Sequence, residues 1–268
     1  MSVDESLIAS LSSLRKNGTK ALPDKRVVIY TCATNGYSLV PQIPPSIRAL
    51  FDFVCFTDDH DYEPPSGWVV IHLNFSLANP RLTAKALKVL PHFVFPDYRY
   101  TLWVDANLGL LEGAPVYIDS FLNSGAEIGL AKHNRRSCIY DEALECMRWG
   151  KDKSERIELQ VNTYRRAGYP ENAGLYQGGF IMRQQNAKVC KLAMEDWWGQ
   201  IVKHSIRDQI SLPVIISRNE LTIYKLETTD FVLAVEKIKH KKFTMYHTGF
   251  SVRDRLRAFI ASLIYRVR

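Results

Sequence analysis

The chain has 268 residues, 46% of them hydrophobic, which is enough to fill one large α/β core and excludes general disorder. The formal charge of +7 is not spread evenly: Lys237 to Arg268 holds nine Lys or Arg and one acid, Asp254, leaving residues 1–236 near neutrality. With no recognisable RNA or DNA module this argues against a nucleic-acid-binding protein, and five irregularly spaced cysteines without a C-x-x-C pair argue against a disulfide framework or zinc ribbon.

Residues 1–24 are polar, lack the apolar run of a signal peptide, and read as a loose arm or a helix. KRVVIYTC (25–32) is a β-branched run that Thr34-Asn35-Gly36 ends as a turn. FDFVCFT (51–57) and WVVIHL (68–73) are two further short strands. Asn79-Pro80 is a helix start, an N-cap with proline at the first helical position, and the helix runs until Pro91. YTLWV (100–104) is a strand that stops at Asp105-Ala106-Asn107. A strand at 126–131, a helix at 140–149, a strand with a glycine pair at 175–182 and a helix at 187–203 follow, and the element from Asp208 to Ile216 is broken by Pro213. Strand-like and helix-like stretches alternate without an internal repeat, so the expectation is one α/β domain over residues 25–250. At 251–268, Val252, Leu256, Phe259, Ile260, Leu263, Ile264 and Val267 recur at helical spacing with arginines beside them. Such an amphipathic helix suits either an anionic membrane surface or packing on the domain. No segment approaches about 18 consecutive apolar residues, so the expected protein is cytoplasmic, soluble or peripheral on the inner membrane face.

Asp105 is the most informative residue. In α/β sheets ligands bind beyond the carboxyl ends of strands, where an acid is exposed while its backbone is fixed. Asp105 and Asn107 offer hard oxygen ligands suited to Mg²⁺ or Mn²⁺, although Asp and Asn at strand ends also simply make turns. Lys85 and Lys88, three apart, share one helix face and can reach a phosphate or solvate that face. Gly178 and Gly179 inside a strand allow close approach of a ligand, or mark a bulge. Lys132, His133 and Arg136 form a basic cluster able to bind phosphate or an acidic acceptor, or a solvated loop. Of Trp149, Trp197 and Trp198, the adjacent pair cannot both face one site, and core packing is expected for at least one.

The stretch AKALKVLPHFVFPDYRYTLWVDANLGL (84–110), with KHNRRSCIYDEALECMRWGKD (132–152), QVNTYRRAGYP (160–170), GLYQGGFIMRQQN (174–186), the pair Trp197-Trp198 and RDQISLPVI (207–215), resembles a glycosyltransferase-like family first catalogued as a domain of unknown function. That family occurs in bacterial polysaccharide clusters and in plant proteins linked to pectin and mucilage. The resemblance, distantly glycogenin-like, implies a GT-A type, Rossmann-like α/β domain with a mixed central sheet, a nucleotide-sugar donor and transfer to an acceptor hydroxyl. It implies a divalent metal, Mn²⁺ or Mg²⁺, held by Asp105 and Asn107 in the place of an Asp-x-Asp motif, with His247 of His247-Thr248-Gly249 as a further ligand. Asn107 departs from the strict motif and loses a charge, which keeps a catalytically silent scaffold open as an alternative. Thr31, Ala33, Thr34 and Tyr37 are then expected against the base of a UDP-sugar, Asp58 on base or ribose, and Lys85 on the diphosphate. Gln177, Asp208 and Gln209 are the expected catalytic groups, Asp208 being the base if transfer inverts and a positioning group if it retains. Gly178, Gly179, Lys132 and His133 are expected on the acceptor side. The expected acceptor is a surface glycan or glycolipid such as lipopolysaccharide or capsule.

Overall fold

The computed structural model describes residues 3–17, 27–34, 36 and 40–237. The helices are α1 (Glu5–Ser13), α2 (Pro45–Arg48), α3 (Pro80–Val89), α4 (Pro91–Val94), α5 (Ala114–Asn123), α6 (Ile139–Arg148), α7 (Ser154–Arg166), α8 (Lys188–Lys203), α9 (Asp208–Arg218) and α10 (Thr228–Ala234). The strands are β1 (Val27–Ala33), β2 (Asp52–Thr57), β3 (Val69–His72), β4 (Tyr100–Val104), β5 (Leu108–Leu110), β6 (Ile128–Lys132), β7 (Tyr176–Gln184), β8 (Ile223–Leu226) and β9 (Val235–Lys237).

Seven strands form one sheet in the order β3-β2-β1-β4-β7-β6-β8, and β5 pairs with β9 in a separate ribbon. β1, β2, β3 and β4 run parallel, as do β6 and β8, while β7 is antiparallel to both neighbours. The sheet is therefore mixed, as expected for a Rossmann-like domain. Reversal of one strand has a positional consequence: the start of β7 lies against the carboxyl ends of β4 and β6, with Val104 opposite Phe180 and Lys132 opposite Tyr176.

All seven residues of β1 are buried, because a central strand covered on both faces can carry apolar residues at every position. Val28, Tyr30 and Cys32 face a core shared with α3, α4 and α8, whereas Val27 and Ile29 face a second core with α2, α5 and α10. A third cluster joins α6, α7 and α9 through Ile139, Tyr164 and Ile210.

Two expectations are sharpened or corrected. Of the arm-or-helix alternatives for the N-terminal residues, the helix is observed: Asp4 caps α1, and Leu7, Leu11 and Leu14 enter the main core. The break at Pro213 does not occur, and α9 continues through it. An interior proline costs about 3 kcal/mol, but Leu212 and Ile215 are fully buried beside it, and burying each such side chain contributes about 1.5–3 kcal/mol. Among the described residues no helix is long and apolar enough to cross a membrane. The basic stretch 251–268 lies outside the described residues.

Candidate active site

β4 delivers Asp105 to the carboxyl edge of the sheet, where its backbone N–H donates to the Gly179 carbonyl at 2.8 Å. Alternation along the strand places Trp103 and Asp105 on one side. The indole Nε1–H of Trp103 donates to Asp105 Oδ1 at 2.6 Å, and Lys88 Nζ lies 3.7 Å from the same oxygen. The other oxygen, Oδ2, faces β7: a Cβ built on Gly179 would stand 3.0 Å from it and 2.9 Å from Leu108 Cδ1. Glycine at 179 is thus required by the carboxylate's approach, not by an unusual backbone angle. The Asp105 side chain is 43% exposed, so it can meet a ligand from solvent.

On the other side of the glycine pair lies a second acid. Asp208, the first residue of α9, receives Lys85 Nζ and Lys88 Nζ on Oδ2, each at 2.6 Å. Asp208 and Lys88 have side chains only 5% and 3% exposed, and Lys85 is the more open at 18%. A Cβ at Gly178 would come within 3.3 Å of Lys88 Nζ and 3.4 Å of Asp208 Oδ2. Burial by itself would raise the Asp208 pKa, but Lys85, Lys88 and Arg207 outweigh it and hold the carboxyl well below the usual range. Burial pulls the Lys85 ammonium down to about 8, with Asp208 opposing that shift.

The α3 start is dictated locally: Asn79 Oδ1 accepts from Arg81 N at 2.9 Å and Pro80 occupies the first helical position. From there Lys85 and Lys88 project toward β7, one helix face apart from solvent. Gln209 N–H donates to Asp208 Oδ1 at 3.1 Å and its side-chain Nε2 to the Tyr176 carbonyl at 2.8 Å. Gln177 Nε2 donates to the Lys132 carbonyl at 3.1 Å. Asp105, Lys85, Lys88, Asp208, Gln177, Gln209 and the two glycines are therefore one constellation.

The remaining expected residues are placed differently. Thr31 is 1% exposed inside β1, and Ala33 is the last, also buried residue of that strand, so among the described candidates there only half-buried Thr34 is open. Asp58 is exposed just after β2. Lys132 Nζ pairs with Glu227 Oε1 at 2.5 Å. His133 Nδ1 accepts from the N–H groups of Arg135 and Arg136 at 3.2 and 3.0 Å, and burial lowers its pKa, so the neutral ring caps its own turn. Asn107 is half-buried two residues beyond Asp105. Tyr37 and His247 lie outside the described residues, among which no three His, Cys, Asp or Glu side chains form a metal-binding group. Both Trp197 and Trp198 are core residues, and Trp149 is 60% exposed.

Four participants escape sequence reasoning. Trp103 reads as one more apolar strand residue, although its two-residue spacing from Asp105 was a usable signal. Arg81 and Lys151, which flank the lysine pair, carry no local pattern. Arg207 sits inside a quoted block, but its contacts with Cys146 Sγ at 3.3 Å and Glu142 Oε1 at 4.0 Å join distant segments.

The strand-end acid, glycine floor and converging cations define an α/β sheet protein with a polar cluster at the carboxyl edge, the place where α/β sheets as a class bind their ligands. The model of the TOD1/MUCI70 glycosyltransferase-like domain matches residues 65–247, and the chain belongs to that family. It is 28% identical over 156 residues, 55% of its length, to a probable hexosyltransferase, MUCI70, of Arabidopsis thaliana, and spans 26% of that protein's length. A solved structure, mouse xyloside xylosyltransferase 1 in its apo form, superposes with a TM-score of 0.48 at 12% identity, covering 76% of this chain and 86% of that one.

Proposed function

We propose that the chain moves a sugar from a UDP-sugar to a hydroxyl of a growing surface glycan, such as lipopolysaccharide or capsule, with the help of Mn²⁺ or Mg²⁺. The observation that carries the reading is the meeting of Asp105, Lys85, Lys88 and Asp208 over the Gly178-Gly179 floor. Breaking the bond between sugar and nucleoside diphosphate leaves negative charge on the departing phosphate, and a fixed cation at that point lowers the barrier. Lys85, the more open of the two lysines, supplies one such charge. Asp105 through Oδ2, with the amide oxygen of Asn107, would hold the metal. Two protein oxygens fit a hard divalent ion that keeps waters and takes phosphate oxygens for its other positions. When bound, that ion acts as the Lewis acid on the diphosphate.

Asp208 has a different task from the one an inverting mechanism would give it. A carboxylate held by two ammonium groups is a weak proton acceptor. We assign it to aiming Lys85 at the donor, with Gln177 and Gln209 ordering the acceptor beside it.

Thermal unfolding against UDP, GDP, CMP and ADP, each with and without Mn²⁺, tests this. A nucleotide at 100 times its Kd stabilises by about 2.7 kcal/mol. UDP is expected to give a Mn²⁺-dependent shift that Asp105→Ala abolishes while the ligand-free Tm stays within a few degrees. No shift with any nucleotide would favour a silent scaffold, and an Asp105→Ala protein with full donor turnover would remove Asp105 from the site.

A further inference from the structure

A second cationic seat lies beyond the lysine pair. Lys88, Lys85 and Arg81 descend one face of α3 at spacings of three and four residues, so the row leads about 10 Å along the helix away from Asp105. At its far end the Arg81 guanidinium reaches the Lys151 carbonyl through Nη1 and Nη2 at 3.4 and 3.3 Å. The next residue, Asp152, accepts from the backbone N–H of Ile206 at 2.7 Å, which brings the loop between α6 and α7 against Arg207. Arg81, Lys151 and Arg207 thus come from three separate segments to one place beside Asp208.

These charges are only partly offset: Asp208 and Glu142 favour the Arg207 cation, and Asp152 and Asp208 favour that of Arg81 from beyond ion-pair distance. Asp152 spends Oδ2 on Ile206 N–H and Oδ1 on Lys153 N–H. Glu142 is already matched by Arg136, which approaches it through Nε at 2.8 Å and Nη2 at 2.7 Å, leaving Arg207 at 4.0 Å. Among the described residues neither Arg81 nor Lys151 has an acid within ion-pair distance. Partly desolvated like charges held together with no counter-charge in contact with two of them are costly to the fold, and such arrangements concentrate at sites where a ligand completes them. Burial first, then Arg207, lowers the pKa of both Arg81 and Lys151, whereas Cys146, Asp208 and Glu142 raise that of Arg207 against its burial, so the uncompensated charge lies on Arg81 and Lys151.

We propose that Arg81, Lys151 and Arg207 form a seat for an oxyanion borne by the acceptor, a carboxylate of an acidic sugar or a phosphate, so that the enzyme selects negatively charged acceptors. The proposal rests on the transferase reading and adds the acceptor's chemical class. The row along α3 separates the two anions: the donor diphosphate at Asp105 and Lys85, the acceptor's acid one to two helical turns further on.

Calorimetric titration of the full chain tests it, with four probes: a uronic-acid trisaccharide, inorganic phosphate, a neutral trisaccharide and UDP with Mn²⁺. The wild type is expected to bind at least one anionic probe saturably and not the neutral sugar. Arg81→Met with Lys151→Met should weaken that binding at least tenfold while UDP–Mn²⁺ stays within twofold, and Asp105→Ala should do the reverse. Binding of the trisaccharide alone assigns a carboxylate acceptor and binding of phosphate alone a phosphorylated one. Absence of both in the wild type overturns the seat, as does a double variant that loses UDP–Mn²⁺ to the same degree, since the cations then belong to the donor. Anion binding without any UDP binding would sink the donor reading instead. If the double variant does not fold, the single changes Arg81→Gln and Lys151→Gln are judged by the same criterion.

Discussion

Lys88 places an ammonium where the side chain is 3% exposed, and Asp208 is what makes that position tolerable. Removing one member of a buried pair strands the other, at a cost of about 3–5 kcal/mol. Asp208→Asn is therefore expected to lower unfolding free energy by that amount in urea titration, through Lys88 first and Lys85 second. A loss under about 1 kcal/mol would show that the lysines find other partners. The contrast with Asp105, 43% exposed, follows from exposure: its removal strands no deeply buried charge. Lys85 adds a pH dependence. Its pKa is depressed to about 8, so the ammonium present below that value is lost as pH rises through it. Donor affinity should fall on the alkaline side of about pH 8, and Lys85→Arg, always charged, should move that fall to higher pH. For stability the sign is opposite: the unfolded chain holds this proton up to its ordinary pKa, so between about 8 and that value this group's own contribution rises with pH. A flat UDP-binding profile from pH 7 to 9 would contradict the Lys85 assignment.

At the scale of elements, the site depends on β7 running against its neighbours with two residues that carry no side chain. Gly179→Ala would force its Cβ against Leu108 and Asp105, at 2.9 and 3.0 Å, and overpacking of this kind costs about 1–3 kcal/mol. The expected result is a loss of turnover larger than the loss of stability, because Asp105 is the group displaced. Equal activity in Gly179→Ala and wild type would mean that the carboxylate is not held at that wall. β1, β2, β4 and α3 declare themselves by dense apolar runs, an N-cap and a proline, all local signals. The reading passes over α7, whose buried residues Ile157, Gln160, Val161 and Tyr164 include an amide, which dilutes the apolar stripe. It also passes over α5, a short helix with proline in its first turn and no side-chain cap. Pro213 misleads for the opposite reason: its local signal is strong, and the core around α9 overrides it.

For the whole molecule, the separation of charge is the feature with the clearest consequence. The near-neutral body and the basic stretch 251–268 predict that deletion of the latter releases the protein from anionic liposomes, each arginine contributing about 1 kcal/mol near such a surface. Binding by the wild type should also weaken with salt. Retention unchanged by the deletion would give the stretch a packing role. By itself the sequence determined the class of fold, the strand that ends in Asp105, the helix that carries Lys85 and Lys88, and the blocks that resemble the family. Those features rest on periodicity, caps and motif order, which are written within a few residues of one another. Tertiary structure alone decided that Asp208 clamps both lysines, that Trp103 and Gly179 hold Asp105, that Thr31 is buried, and that Arg81, Lys151 and Arg207 meet. Those facts depend on which strands lie side by side and on the direction of β7, and residues some 60–120 positions apart acquire a common electrostatic environment only when the sheet is assembled.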